Sequence, residues 1–109
     1  IEIEEIEAFN NNYQQRIQLA DTRRNIITQG IRLNDLVGKI FTIGDVRFKG
    51  VELCEPCATL GKLLGNDTLA AKDVVKAFVH KSGLRADVLS DGEIQYGMSI
   101  TVNESLNTK

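Results

Sequence analysis

Apolar residues recur along the chain with two periods. Ile3, Ile6 and Phe9 stand among acids at near-helical spacing, which predicts a short helix over residues 2–13 ending at Asn10-Asn11-Asn12. Arg24 to Thr28 carries Asn-Ile-Ile-Thr, rich in β-branched residues, with Gly30 after it, and reads as a strand. Strict alternation follows. Lys39 to Ile43 reads as a strand, Gly44-Asp45 as a turn and Val46 to Leu53 as a second strand. Val46, Phe48 and Gly50 lie on one face of it, Arg47 and Lys49 on the other.

The helical period then returns. Proline is favoured at the first helical position, which predicts a helix from Pro56 to near Gly65. A further helix, capped by Asp67 or Thr68, buries Ala71, Val74, Val75, Phe78 and Val79 and runs out at Lys81 and Gly83. Leu84 to Leu89 reads as a strand, Asp91-Gly92 as a hairpin turn and Glu93 to Tyr96 as the return strand. Ser99 to Val102 is a last strand before a polar tail. The expected fold is mainly β, α+β by content: a small antiparallel β-barrel with two or three inserted helices.

Composition narrows the function. The chain has 109 residues, 42% hydrophobic and 26% charged, the balance of a globular domain rather than a disordered chain. A formal net charge of −2 argues against a nucleic-acid coat. No apolar run approaches the roughly 20 residues of a membrane helix, and the acidic start, Ile1-Glu2-Ile3-Glu4-Glu5, is no secretory signal. The chain opens on Ile1 rather than Met, so the expectation is a single domain over residues 1–109 that lacks an upstream segment. Its two cysteines, Cys54 and Cys57, stand together as Cys-Glu-Pro-Cys. This is not the spread of a disulfide framework; it suits a reducing compartment, and the expected location is cytoplasmic.

With Pro56 as the first helical residue, Cys57 falls in the first turn, where the helix dipole and unpaired amides favour a thiolate. Glu55 opposes this by like charge, and a free cysteine also serves as a small buried hydrophobe. A zinc site needs four ligands, and His80 is the only other strong candidate, which argues against a zinc ribbon. A thioredoxin-like pair needs a βαβ setting that the hairpins do not offer. Arg23 and Arg24, with Asn25 after them, could grip a phosphate through guanidinium forks; a solvated charged pair at a strand end is the competing reading. His80 reads as a helix C-terminal histidine.

Four stretches, Arg-Arg-Asn-Ile-Ile-Thr-Gln-Gly-Ile (23–31), Leu-Val-Gly-Lys-Ile-Phe-Thr-Ile-Gly-Asp-Val (36–46), Val-Glu-Leu-Cys-Glu-Pro-Cys-Ala-Thr-Leu (51–60) and Gly-Leu-Arg-Ala-Asp-Val-Leu-Ser-Asp-Gly-Glu-Ile (83–94), occur in order. Together they resemble the MOSC domain, with closest likeness to short stand-alone bacterial members. Relatives are the C-terminal domain of molybdenum cofactor sulfurases and the amidoxime-reducing components. The resemblance implies a β-barrel-like fold that binds the molybdenum cofactor, a pterin dithiolene (molybdopterin) with a phosphate. It implies Cys57 as molybdenum ligand and catalytic residue, with Arg23, Arg24 and Asn25 at the cofactor's anionic end. The implied activity is reduction of N-hydroxylated or N-oxygenated compounds, fed by an electron-transfer partner. The alternative is a non-redox sulfur or cofactor carrier, and a third reading is a domain that has lost its ligand. Two departures stand out. A Gly-Asp-Arg segment usual upstream in the family is absent, and Gly97-Met98 replaces the Gly-Asp of its final hairpin.

Overall fold

The computed structural model describes residues 1–102; the polar tail after Val102 lies outside the described residues. Three α-helices, α1 (Ile3–Tyr13), α2 (Ala58–Leu64) and α3 (Ala71–Ala77), and four strands, β1 (Ile40–Ile43), β2 (Val46–Leu53), β3 (Leu84–Val88) and β4 (Ile100–Thr101), make an α+β chain. It divides into two compact units, Ile1–Ile31 with Cys54–Gly83, and Arg32–Leu53 with the chain from Leu84 on. Among the described residues no helix is long and apolar enough to cross a membrane.

The second unit holds one antiparallel sheet in the order β3-β2-β1-β4. The predicted hairpin forms at the predicted turn, with Phe41 opposite Phe48 and their rings stacked at 5.5 Å. Val46, Phe48 and Gly50 are buried while Arg47 and Lys49 face solvent, as the alternation requires. Gly50 is needed for contact: a Cβ there would stand 2.1 Å from the Leu36 carbonyl oxygen. The register shifts between Gly50 and Glu52. This bulge leaves Val51 without a pairing partner and exposed.

The sheet does not close into a barrel among the described residues, because β3 and β4 end its order without meeting. Glu93 to Tyr96 forms no return strand. After Leu89 donates to the Arg47 carbonyl and the Ser90 hydroxyl accepts from the Arg47 amide, the chain leaves the sheet. Ile94 and Tyr96 would share a face by alternation, but both are exposed, Tyr96 fully.

The first unit is helical. Ile1, Ile6, Phe9, Leu60, Leu64, Val74 and Phe78 form its core, with the Phe9 and Phe78 rings 4.7 Å apart. Burying each of the larger side chains stabilises by about 1.5–3 kcal/mol. Residues 24–28 do not form the predicted strand. The chain bends at Asn25, and Thr28 makes only a single parallel bridge to Glu2, through Ile3 N to Thr28 O and Thr28 N to Ile1 O. A ladder cannot continue, because the partner turns helical at Ile3.

Both later helices depart from the expected boundaries. Helix α2 starts at Ala58 rather than Pro56, and Cys57 is its N-cap in extended conformation. Helix α3 starts at Ala71, and neither Asp67 nor Thr68 caps it. Asn66 organises that loop instead, its Oδ1 accepting from the Thr68 and Leu69 amides at 2.8 and 3.1 Å. The helix stops at Ala77, so Val74 and Phe78 are buried, while Val79 is exposed and His80 is left-handed with φ 60°.

Candidate functional site

The Cys54–Cys57 segment is held at successive residues by the turn of residues 80–83. The Cys54 amide donates to the Gly83 carbonyl at 2.8 Å, and the Cys54 carbonyl accepts a bond from the Ser82 hydroxyl. The Glu55 carboxylate accepts from the His80 amide at 2.7 Å and lies 2.5 Å from its Nδ1. Glu55 also precedes proline, which biases it away from helical geometry. These bonds keep the chain extended through Cys57 and delay the helix by two residues. The sequence had Glu55 opposing the neighbouring thiol; its carboxylate is engaged by His80 instead.

Cys57 is exposed, whereas Cys54 is half-buried. The first intrahelical bond, from Gly61 N to Cys57 O, closes below the thiol. No side-chain hydrogen bond caps the helix, yet the backbone N–H groups of Leu60 and then Thr59 hold the Cys57 thiol below its usual pKa of 9.0. Desolvation opposes them and ranks next, ahead of the smaller lowering by the Thr59 side chain and the Arg24 charge. Orphan amides of a first helical turn attract negative charge. Because the helix starts only after Cys57, the two cysteines do not share a helical turn, the setting of a thioredoxin-like pair.

Arg24 is half-buried. Its Nε donates to the Ser82 carbonyl at 2.9 Å and its Nη1 to the Thr22 carbonyl at 3.4 Å. The two bonds fix the guanidinium and leave Nη2 for an anion. Arg23 is exposed in the left-handed region, φ 54°, ending the 3₁₀ turn Leu19–Thr22 with its amide on Ala20 O. Asn25 is exposed beside it. Of the residues named from sequence, Arg24 and Cys57 are coupled by charge, while Arg23 and Asn25 flank Arg24 along the chain. His80, expected within the end of α3, lies beyond it and pairs with Glu55. Among the described residues no three His, Cys, Asp or Glu gather as a metal cluster. The sequence reading missed Ser82, fully buried and touching both arms of the site; a lone serine between Lys81 and Gly83 carries no local signal of that role.

No curated protein sequence matches the chain. Among solved structures, the crystal structure of YiiM from Geobacillus stearothermophilus shares the fold with a TM-score of 0.80. The identity is 21%, over 94% of this chain and 51% of that one, so the chain spans about half the length of that neighbour. The MOSC domain family model matches residues 1–101 and so runs through both units. The chain belongs to the MOSC domain family.

Proposed function

We propose that this domain binds the molybdenum cofactor and acts as an oxidoreductase on N-hydroxylated or N-oxygenated compounds, with Cys57 as the molybdenum ligand. The observation that carries the reading is the exposed Cys57 thiol, poised toward its anion by the amides of Leu60 and Thr59. A thiolate is a soft donor suited to such a metal. The donor set fits the group: one exposed thiol held below its ordinary pKa, and Arg24 with its guanidinium already oriented by two carbonyls. When bound, the cofactor supplies two-electron redox chemistry at the metal. Cys57 would hold the metal through sulfur, Arg23 and Arg24 would neutralise the cofactor phosphate, and Asn25 would donate to its oxygens. Electrons would come from a separate transfer partner.

A second reading rests on the same exposure. A thiol held below its ordinary pKa and open to solvent also suits a carrier that accepts sulfur or cofactor and turns nothing over alone. Expression with molybdate, elemental analysis and viologen-driven reduction of a hydroxylamine separate the two. Bound molybdenum with turnover, lost in Cys57→Ser and weakened less in Cys54→Ser, supports the reductase. Metal without turnover supports the carrier. Equal loss from both cysteines, or from neither, overturns the ligand role of Cys57.

A further inference from the structure

We propose that Ser82 is a positioning residue of the Cys57 site: its hydroxyl anchors the Cys54–Cys57 segment while its carbonyl anchors the Arg24 guanidinium. The proposal deepens the reading above and rests on it, since it assigns the part that holds the two segments bearing Cys57 and Arg24.

Ser82 is 1% exposed. Its Oγ donates to the Cys54 carbonyl, and its own carbonyl accepts the Arg24 Nε at 2.9 Å. The next residue continues the clamp, the Gly83 carbonyl accepting the Cys54 amide at 2.8 Å. The partners lie 28 and 58 positions away along the chain, so one short turn joins segments with no local reason to meet. The other links are weaker. The second anchor of Arg24, on Thr22, is longer at 3.4 Å. The Glu55–His80 pair is solvent-exposed, with His80 69% open, where ion pairs hold little. A buried hydroxyl donating to a half-buried carbonyl is the link least open to replacement by water.

The test is the alkylation rate of each cysteine by iodoacetamide near neutral pH, in the full chain, read separately for Cys54 and Cys57 by fragment-ion mass spectrometry. In Ser82→Ala the Cys54 carbonyl loses its donor, and the half-buried Cys54 labels faster by about threefold. The variant keeps the backbone carbonyl that holds Arg24 and leaves the start of α2 intact, so Cys57 labels at the wild-type rate. Ser82→Thr, which keeps the hydroxyl, restores the Cys54 rate. A merely structural serine would loosen the region and speed both thiols together; that result, or an unchanged Cys54 rate, overturns the proposal. Should Ser82→Ala fail to fold, Ser82→Thr carries the test: both thiols must label at the wild-type rates, and a faster Cys54 overturns the proposal. Molybdenum retained by the wild-type chain is measured in parallel. Its absence removes the cofactor reading, while the separate response of Cys54 still upholds Ser82.

Discussion

The hairpin of β1 and β2 is held by backbone-to-backbone hydrogen bonds, and the turn at residues 80–83 mostly by bonds between a side chain and the backbone, over very different reaches of chain. In the hairpin, Ile43 pairs with Val46 and Ile40 with Lys49, so each contact is close in sequence and the alternation of side chains already states the register. At the turn, the bonds to Cys54, Glu55 and Arg24 join residues 25 to 58 positions apart. Local pairing writes itself into a period; distant clamping does not. The scaffold of this domain belongs to the first kind and its candidate chemistry to the second.

The largest effect that could break this contrast lies in the helical unit. Phe78 is 1% exposed and packs on Phe9. Phe78→Ala should cost about 4 kcal/mol, a large fraction of the stability of a domain this size, measured by urea unfolding. A loss below about 1 kcal/mol would mean that the clamps rather than the apolar core hold that unit. In the sheet the sensitive point is a backbone approach. A methyl at Gly50 meets the Leu36 carbonyl at 2.1 Å, and Gly50→Ala should cost about 3 kcal/mol. A neutral result in the same assay would show that β2 can shift past that carbonyl.

The same contrast explains what the sequence disclosed. The hairpin, α1, β3 and the buried pair Val74 and Phe78 were legible because each declares itself within one or two periods. The strand expected at 24–28 failed because strand propensity supplies an extended backbone but not a partner, and Thr28 found only the bridge to Glu2. The return strand at 93–96 failed because alternation without burial carries no energy. In the candidate site, Cys57 and Arg24 could be named by residue type and resemblance. The start of α2 could not be placed, since it depends on Glu55 and Cys54 binding a turn some 25 residues later.

The two arginines sharpen the contrast at intermediate size. Arg23→Ala removes an exposed side chain and should leave the melting temperature nearly unchanged. Arg24→Ala strips the Ser82 and Thr22 carbonyls of a donor and should cost about 1 kcal/mol of stability. Each should weaken retention of the cofactor by about tenfold, the loss of one charge-assisted phosphate contact. Molybdenum per chain after gel filtration measures the retention. A variant that melts early yet retains the metal normally would assign that arginine to the fold alone.

The smallest effect concerns the thiol and pH. The amides of Leu60 and Thr59 hold the Cys57 pKa in the folded chain below the ordinary 9.0. When the chain unfolds those amides are lost to it, and the thiol returns to its ordinary value and binds its proton more tightly. The unfolded state therefore carries more protons between the two pKa values, and stability rises with pH across that window. The contribution is fully present above 9.0, and it is lost as pH falls through the lower, folded value. Cys57→Ser lacks it throughout. The wild type should therefore gain on the variant in melting temperature as pH rises through the window, and the two curves should run parallel below it. Salt should shrink the gain only slightly, because the backbone amides rank ahead of the Arg24 charge among its causes. A gap between the two proteins that stays constant with pH would show that the amides at the start of α2 do not act on the sulfur, and the helix start would lose its claim to the chemistry of Cys57.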